Sequence, residues 1–562
     1  MPVSPTSHRP ANTLGSRAAL ADASHRFDLA VIGGGINGAG IARAAALAGL
    51  SVCLLEKYDF GWGTTWRSTK LIHGGLRYLE HAEFGLVFES LRDQALLLRD
   101  YPDMVRPLSL LLPVYRGARH GPATIGLGLT LYDLLARGRS LPGHRRLDAA
   151  AACAAEPGLR AEGLRAAFQY SDSQVAYPER LCIQTLLEAS EAGAVCLNRA
   201  EVVSVLRQSG QVTGVGVRDH LCGWEVEIRA PVVVNASGPW IDTLLGTLAR
   251  PPRRQIGGTR GAHLVVDYDG HGPVHAIYAE ARSDRRPFFI VPWRGRHLIG
   301  TTDTRYEGSP DAAAATRADV AYLVTEANAL LPRTPLRDSA VEYAYAGVRP
   351  LPASEGVAEG AITRRHLIRE HADAGYRGLF SIIGGKLSTY RSLADDVLRR
   401  IERYVRPPAS PAPTLPVRDV GEAAATRPWL LGMVGPAVAD HLRALYGPRL
   451  HALAGLVQAD PSLLDPLCPH GPDIVGQALL AVRAEAAQGV ADVLLRRLGA
   501  GWNACLGLDC AERVASLLGV EHGWNAERVQ QAAAEYVNEV HATFFTPGKA
   551  LAPAVVPGHA QR

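Results

Sequence analysis

The stretch FDLAVIGGGINGAGIARAAALAGLSVCLLE, residues 27–56, decides the fold of this 562-residue chain. The apolar run 27–32 is followed by the glycine turn Gly33-Gly-Gly-Ile-Asn-Gly38, an alanine-rich run to Gly49, and a second apolar run that ends at Glu56. This order of strand, glycine turn, helix, strand and acid is the dinucleotide fingerprint G-x-G-x-x-G in the context that it requires. It predicts a Rossmann-like α/β domain that binds an adenine dinucleotide.

Each glycine of the fingerprint, and its acid, has a defined task at a bound dinucleotide. Gly33 permits the tight turn, Gly35 lets the backbone approach a pyrophosphate, and Gly38 lets the helix pack closely on the strand. A helix that begins near Ile36 presents unpaired N–H groups and the positive end of its dipole to the phosphates. Glu56, at the end of the second strand, can accept hydrogen bonds from the adenosine ribose.

Length and composition narrow the class of protein to a globular enzyme of two or three domains. A chain of 562 residues exceeds what one core usually supports, and 47% apolar with 20% charged residues is ordinary for a soluble enzyme. A net charge of +4, without a basic run and with 6% aromatic residues, argues against a nucleic acid as partner. No stretch approaches the roughly 18–20 apolar residues of a membrane span.

The eight cysteines are scattered along the chain, without a C-x-x-C pair or the usual spacing of a zinc site. We interpret them as reduced, mostly buried residues of a protein on the cytosolic side, and predict no bound metal. They are Cys53, Cys153, Cys182, Cys196, Cys222, Cys468, Cys505 and Cys510.

Two later stretches repeat the pattern of an apolar run that leads into glycine. Residues 230–240 read APVVVNASGPW, and residues 379–391 read LFSIIGGKLSTYR. The second stretch predicts a strand, a Gly-Gly turn and a helix that begins at Lys386. Three separate glycine turns, at each of which the backbone can lie close to one ligand, favour FAD over a nicotinamide dinucleotide.

The most specific signal lies between the first two glycine turns. Residues 61–70, GWGTTWRSTK, offer small and hydroxylated residues that let the backbone lie close to a ligand, and residues 70–80 read KLIHGGLRYLE. We predict one helix from Leu71 to about Asp100. The near-verbatim run K-L-I-H-G-G-L-R-Y-L-E resembles the FAD-dependent (respiratory) glycerol-3-phosphate dehydrogenases, and the likeness extends over roughly residues 27–545.

This resemblance implies a Rossmann-like FAD-binding domain with an inserted antiparallel-sheet substrate domain, similar to D-amino-acid oxidase, and a C-terminal helical domain. The predicted segments are a disordered extension 1–26, an FAD-binding domain from about 27–100, 190–254 and 360–406, a substrate domain from about 101–189 and 255–359, a proline-rich linker 407–417, helices within 418–546, and a disordered tail 547–562. Within them we predict an irregular pattern between about 101 and 190, with Pro107, Pro113, Pro122 and Pro142 as breakers and a helix at 125–136. We also predict a β-meander at 195–234 and C-terminal helices at 437–445, 474–498 and 508–518.

The resemblance also implies which residues hold FAD and which act on the substrate. The cofactor residues are Gly33, Gly35, Asn37, Gly38, Glu56, Thr64, Ser68, Lys70, Leu71, Val202, Ala236, Gly238, Gly385, Leu387 and Ser388. The substrate-binding residues are Arg77, Tyr78, Arg349, Arg364 and Lys386, and the catalytic residues are His263, Arg349 and Lys386. His263 is the first candidate for the general base and a neutral Lys386 the second.

The implied reaction is the oxidation of sn-glycerol 3-phosphate to dihydroxyacetone phosphate, with transfer of the electrons to membrane quinone. A dianionic phosphate requires several fixed cations, which the arginines supply as planar donor forks. The implied location is peripheral, at the cytoplasmic face of the inner membrane, or the cytoplasm, and a homodimer is possible. An oxidase of the same fold that uses oxygen, an amine or amino-acid oxidase, and a non-enzymatic flavin-binding sensor remain as alternatives.

Overall fold

The computed structural model of the chain describes residues 14–17, 26–81, 83–136, 141–354, 362–407 and 428–547. Two mixed β-sheets with helices packed against them are followed by a C-terminal group of helices. The predicted fold class, α/β with an inserted sheet domain and a helical C-terminal domain, is confirmed.

The elements are numbered in chain order. The strands are β1 Leu29–Ile32, β2 Val52–Leu55, β3 Leu71–Ile72, β4 Val105–Tyr115, β5 Arg145–Leu147, β6 Leu164–Val175, β7 Val195–Leu197, β8 Ala200–Gln208, β9 Gln211–Asp219, β10 Glu225–Arg229, β11 Val232–Asn235, β12 Thr259–Val266, β13 Ala276–Glu280, β14 Pro287–Trp293, β15 Arg296–Gly300, β16 Thr304–Arg305, β17 Val341–Arg349, β18 Leu367–His371 and β19 Tyr376–Ile383. The helices are α1 Ile36–Leu47, α2 Phe84–Asp100, α3 Pro122–Leu135, α4 Ala149–Ala155, α5 Pro178–Glu191, α6 Ile241–Leu245, α7 Arg317–Leu330, α8 Tyr390–Ile401, α9 Pro436–Tyr446, α10 Leu450–Ala459, α11 Val475–Ala484, α12 Ala511–His522 and α13 Ala526–Thr543.

The first sheet contains the fingerprint. Its parallel part runs in the order β7–β2–β1–β11–β19, and β9 lies beside β19. The strands β8 and β10 flank β9 as the predicted meander. Every residue of β1, β2 and β11 is buried, because α1, α5 and α8 pack on one face and the meander with α6 on the other.

The second sheet is the inserted one, with the strand order β16–β12–β15–β14–β13–β4–β6–β3. Its pairs are antiparallel apart from β4 with β13. The region predicted as irregular therefore contains two long strands, β4 and β6, and the prediction was wrong there. Pro107 and Pro113 do not break β4, because β13 pairs with β4 only at Leu110 and Leu111 and neither proline has to donate a ladder bond on that side.

The single helix predicted from Leu71 is also wrong at its start. Residues 71–72 form β3 against β6, a 3₁₀ turn covers Leu76–His81, and α2 begins only at Phe84. The Gly74 N–H donates to Asp172 Oδ1 at 3.0 Å, and Gly75 has a φ of 79°. Because this glycine pair is not in the helical conformation, the helix begins only further along the chain.

The C-terminal helices pack on the first 400 residues through buried ion pairs. Arg496 and Arg497 both donate to Asp59, at 2.7 and 2.8 Å, from a π-helical turn at Asp492–Arg497. The helix predicted over 474–498 instead ends at Ala484, since Ala486 has a φ of 58°. Asp59 follows β2, the second strand of the fingerprint. The C-terminal domain therefore contacts the edge of the first sheet at which the fingerprint binds its ligand.

Two boundaries differ from the predicted segments. Helix α5 lies within the range given to the substrate domain but packs on α1 of the nucleotide domain. Residues 14–17 of the predicted disordered extension contact the first sheet: Leu14 is buried, and the Gly15 N–H donates to the Cys196 carbonyl oxygen at 2.9 Å. The predicted linker and tail lie outside the described residues, apart from residue 407 and residue 547.

Candidate active site

A cavity of about 410 Å³ opens at the carboxyl ends of β1, β2 and β11, where open α/β sheets bind their ligands. The turns after β1, β11 and β19 all contribute to it, as the three glycine turns in the sequence predict. The predicted cofactor residues that line it are Gly33, Gly35, Asn37, Glu56, Thr64, Ser68, Val202, Ala236, Gly238, Gly385 and Leu387.

The glycines at the cavity floor leave no room for a side chain. Gly33 has a φ of 106°, and a Cβ there would lie 2.7 Å from the Ala236 carbonyl oxygen. A Cβ on Gly38 would lie 1.9 Å from the Gly33 carbonyl oxygen. Gly38 does not line the cavity itself. It sets the shape of the cavity, because only a residue without a side chain lets α1 lie this close to the turn after β1.

Replacing Gly38 with alanine should remove most of the cofactor from the purified protein. The added methyl group must push α1 away from the glycine turn, so we expect less than about a tenth of the wild-type flavin to remain, read as the ratio of flavin to protein absorbance. Gly455→Ala is the control, because a Cβ there meets no atom within 4 Å. A Gly38→Ala protein with full flavin content would contradict this account of the turn.

Glu56 is fixed by the backbone around it. Its Oε2 accepts the Gly34 N–H at 2.7 Å, and its Oε1 accepts the Tyr58 N–H at 2.8 Å. Burial raises the pKa of this carboxyl, while both backbone hydrogen bonds act in the opposite direction. The carboxylate therefore lies at the cavity wall in a set orientation, as an acceptor for ribose hydroxyls requires.

Three predicted cofactor residues have side chains outside the cavity lining, within the described part of the chain: Lys70, Leu71 and Ser388. Leu71 belongs to β3, and Ser388 is buried below the turn after β19. The Lys70 ammonium donates to the Trp66 carbonyl oxygen at 3.3 Å and lies 4.2 Å from the centre of the Trp502 ring. Burial lowers the pKa of Lys70, and the charge of Glu179 opposes this shift. The aromatic rings around the ammonium also favour its charged form.

The turn after β19 differs from its prediction in one respect. Gly384 and Gly385 have φ values of 79° and 92°, but α8 begins at Tyr390, not at Lys386. The positive end of the α8 dipole therefore lies one turn further along the chain. Charge at this part of the cavity comes from the Lys386 ammonium itself.

A cluster of cations adjoins this end of the cavity. Arg349 and Arg364 donate to the two oxygens of Asp303, at 2.9 and 3.1 Å. The Lys386 Nζ lies 3.7 Å from the centre of the Tyr78 ring. Burial raises the pKa of the Tyr78 hydroxyl, while the nearby charges of Arg364, Arg77 and Arg349 oppose the shift. The predicted substrate residues are thus brought together around Tyr78, although Arg77 also lines a second cavity.

Several buried polar atoms here have no hydrogen-bond partner among the described residues. They are Lys386 Nζ, Arg364 Nη1, His263 Nδ1 and Asn37 Oδ1. A buried donor or acceptor left in this way costs free energy unless a ligand supplies the missing partner. The residues present therefore fit a dinucleotide whose flavin end reaches Lys386, together with a small anionic substrate beside it.

The two candidate bases differ in their electrostatics. Burial and the charges of Arg349 and Lys70 hold the pKa of His263 well below its usual range. Its Nε2 is paired with Thr69 Oγ1 at 2.9 Å, and its ring stacks on Tyr345. Burial lowers the pKa of Lys386 to about 7. On the criterion that a general base is most effective when its pKa is near the working pH, Lys386 is the better candidate.

Sequence reasoning missed Asp303 and the aromatic wall of the cavity. Asp303 follows β15, and the run Thr301-Thr-Asp303 carries no motif that marks it as the holder of two arginines. Tyr58, Trp62 and Trp240 line the end of the cavity near Glu56. Their only signal in the sequence is that aromatic residues interrupt glycine-rich loops.

Comparison with known proteins agrees with the fold and with an FAD cofactor. Residues 28–391 match the family model described as FAD dependent oxidoreductase, and residues 383–529 match that of the C-terminal domain of alpha-glycerophosphate oxidase. The chain is 38% identical over 529 residues to a glycerol-3-phosphate dehydrogenase of Synechocystis sp., covering 91% of this chain and 95% of that protein. It is 35% identical to glycerol-3-phosphate dehydrogenase 2 of Mycobacterium tuberculosis, over 92% of this chain and 89% of that protein. Among solved structures, the glycerol-3-phosphate dehydrogenase of Bacillus halodurans in complex with FAD matches with a TM-score of 0.74 and 27% identity, over 94% of this chain and 97% of that chain.

Proposed function

The chain belongs to the family of FAD-dependent glycerol-3-phosphate dehydrogenases, and from this premise we propose that it oxidises sn-glycerol 3-phosphate to dihydroxyacetone phosphate. FAD is its cofactor and supplies, when bound, the acceptor for the hydride from C2 of the substrate. The observation that supports the proposal best is that Lys386 lines the cofactor cavity and contacts Tyr78, around which the arginines are grouped.

Arg349 and Arg364 bind the substrate phosphate in this proposal. Asp303 holds both guanidinium groups from one carboxylate, so they are fixed at a short separation before the substrate arrives. Burial acts to raise the pKa of Asp303, but the charges of Arg349 and Arg364 hold it below its usual range. A carboxylate that stays ionised keeps the two arginines in place. Arg364 retains its Nη1, which has no partner among the described residues, as a donor for a phosphate oxygen, and Arg349 adds its positive charge beside it.

Lys386 removes the proton of the C2 hydroxyl in this proposal. Its neutral amine is present in a substantial fraction near pH 7, because burial lowers its pKa to about 7. After taking the proton, the ammonium lies at the wall of the cofactor cavity, where a positive charge offsets the electron pair that arrives with the hydride. His263 remains the alternative base, and Tyr78 orients the phosphate through its hydroxyl.

The reaction is tested by adding glycerol 3-phosphate to the purified flavoprotein without an electron acceptor. We expect loss of the flavin absorbance and formation of one molecule of dihydroxyacetone phosphate for each flavin that is reduced. Glycerol and glycine serve as controls, since neither carries a phosphate for the arginines. A flavin that glycerol 3-phosphate leaves oxidised would overturn the proposal, and a flavin that glycine bleaches would favour an amino-acid oxidase.

The acceptor is membrane quinone in our proposal, and an apolar surface beside Arg77 supports it. A cavity of about 670 Å³ lies between the 3₁₀ turn that carries Arg77, helix α3 and the strands β4 and β13. Leu127 and Leu134 of α3 are 73% and 58% exposed, and Phe88 of α2 is 50% exposed. No helix of the described residues has both the length and the apolar character that a membrane crossing needs. A partly exposed apolar surface next to the active site suits a protein that rests on a bilayer and receives a quinone from it.

Replacing Leu127 with glutamate should weaken membrane binding and quinone reduction while sparing flavin reduction. A carboxylate at Leu127, the most exposed of these three apolar positions, opposes contact with lipid, so we expect at least about a fivefold lower quinone reductase rate with vesicles. Val520→Glu is the matched control, because Val520 is 83% exposed on α12. Peroxide formed at the rate of substrate loss in the wild-type protein would favour the oxidase instead.

A further inference from the structure

The buried ammonium of Lys70 lies among aromatic rings of two different domains. It is 4.2 Å from the centre of the Trp502 ring in the C-terminal domain and 5.0 Å from the centre of the Trp293 ring in β14. Its Nζ also donates to the Trp66 carbonyl oxygen at 3.3 Å, and Glu179 adds a negative charge that favours the ammonium. Because Lys70 is fully buried, water does not weaken the attraction between its charge and the rings.

The backbone of Lys70 adopts a conformation that its surroundings must stabilise. Its φ is 59°, in the left-handed region that a residue with a side chain rarely adopts. Such a conformation persists where surrounding contacts compensate for its cost. Lys70 directly precedes β3, and its carbonyl oxygen accepts the Val175 N–H at 3.0 Å. Since the chain turns at Lys70, the contacts of its ammonium fix the direction in which residues 68–69 run.

The two residues before Lys70 contact side chains of the inserted sheet. Thr69 Oγ1 is paired with His263 Nε2 at 2.9 Å, and the Tyr345 hydroxyl donates to the Ser68 carbonyl oxygen at 2.9 Å. His263 and Tyr345 are paired residues of β12 and β17, and the centres of their stacked rings are 5.2 Å apart. Residues 68–69 therefore orient the imidazole of His263 both directly and through the Tyr345 ring.

His263 shares one face of the inserted sheet with Arg349. Side chains two residues apart in a strand point to the same face, and a Cβ on Gly261 would lie 2.2 Å from Arg349 Nη2. The Nδ1 of His263 is buried and has no hydrogen-bond partner among the described residues. A substrate that binds beside Arg349 can supply that partner, so the orientation of the imidazole matters for the reaction.

We propose that Lys70 is a positioning residue for His263, and that its contact with Trp502 makes the active site depend on the C-terminal domain. Lys70 does not line the cofactor cavity, and it acts through Thr69. The Trp502 ring also meets the ring of Tyr345 edge-on, with 5.6 Å between their centres. This role rests on the proposed function, because its main measurement is the reduction of the flavin by glycerol 3-phosphate.

The test is stopped-flow reduction of the flavin in the full-length holoprotein. Lys70→Met keeps the length of the side chain and removes its charge, so we expect a limiting rate roughly 10- to 100-fold lower. Flavin content and the substrate concentration at half-maximal rate should change by less than about twofold, since Lys70 does not hold the phosphate. Arg528→Met is the matched control: its guanidinium lies 4.7 Å from the centre of the Trp524 ring on α13, far from the flavin in sequence, and the rate should not change.

A double variant distinguishes positioning from a general loss of structure. Lys70→Met should slow the His263→Ala protein by less than about twofold, because the group that Lys70 positions is then absent. Trp502→Phe keeps a ring but attracts a cation less strongly than indole does, so it should slow flavin reduction by a smaller factor, and it serves as the test if Lys70→Met does not fold. Effects that multiply fully in the double variant, or a wild-type rate in Lys70→Met and Trp502→Phe, would overturn the proposal.

Melting temperatures measured without substrate separate this role from the proposed function. Lys70→Met and Trp502→Phe together should lower the melting temperature by less than the sum of the two single changes, because both remove the same contact. The same comparison of Lys70→Met with His263→Ala measures the connection to the active site. Additive changes in both comparisons would refute the positioning role, whereas a wild-type flavin that glycerol 3-phosphate leaves oxidised would refute the proposed function alone.

Discussion

The change Arg349→Ala should reduce kcat/KM for glycerol 3-phosphate roughly 10- to 150-fold, because a charge-assisted hydrogen bond of this kind contributes about 1.5–3 kcal/mol. Most of the effect should appear in KM, since the phosphate is bound in the ground state as well as in the transition state. Flavin content should not change, because the Arg349 side chain contacts Asp303, Thr259 and Thr301 rather than the cavity glycines.

The measurement is steady-state turnover with a soluble dye, together with the flavin-to-protein absorbance ratio. Arg305→Ala is the matched control: Arg305 lies exposed on β16 of the same sheet. Loss of flavin from Arg349→Ala would refute its assignment to the substrate, and an unchanged KM would refute its contact with the phosphate.

The change Lys386→Met should slow flavin reduction at saturating substrate roughly 10²- to 10⁴-fold, the usual contribution of a general base. Methionine keeps the length and the packing against Tyr78 but can neither take a proton nor carry a charge. The measurement is the rate of flavin bleaching in a stopped-flow experiment. Lys57→Met is the control, because Lys57 lines the opposite end of the same cavity, beside Tyr58 and Trp240.

The pH dependence should carry the signature of the same lysine. Burial lowers the pKa of Lys386 to about 7, and the neutral form is the base, so kcat/KM should rise with pH up to about pH 7 and level off above it. The rise should be lost in Lys386→Met, which leaves only the ionisation of the substrate phosphate. A larger effect of His263→Ala on flavin reduction, with the pH profile kept in Lys386→Met, would assign the base to His263 instead.

The sequence determined the parts of this protein that depend on local geometry. The fingerprint around Gly33 and Gly38, the strands on either side of it and the meander 200–229 follow from residue order alone, since they depend on φ values and on periods of two or 3.6 residues. The later turns at 236–238 and 384–385 could be assigned to the same ligand for the same reason. Eleven of the predicted cofactor residues line one cavity, and eight of them lie in the segments directly after the buried strands β1, β2, β11 and β19.

The tertiary structure alone decided what depends on pairs that are distant in sequence. Pro107 and Pro113 lie in a strand because β13 pairs with only part of β4. Asp303 belongs to the site because β15 ends beside Arg349 of β17. No local sequence pattern indicates this contact. The pKa of Lys386 depends on how much of the protein surrounds its ammonium. The thiols of Cys468 and Cys505 are neighbours for the same physical reason: side-chain contacts between segments are fixed by packing, and packing is a property of the whole fold.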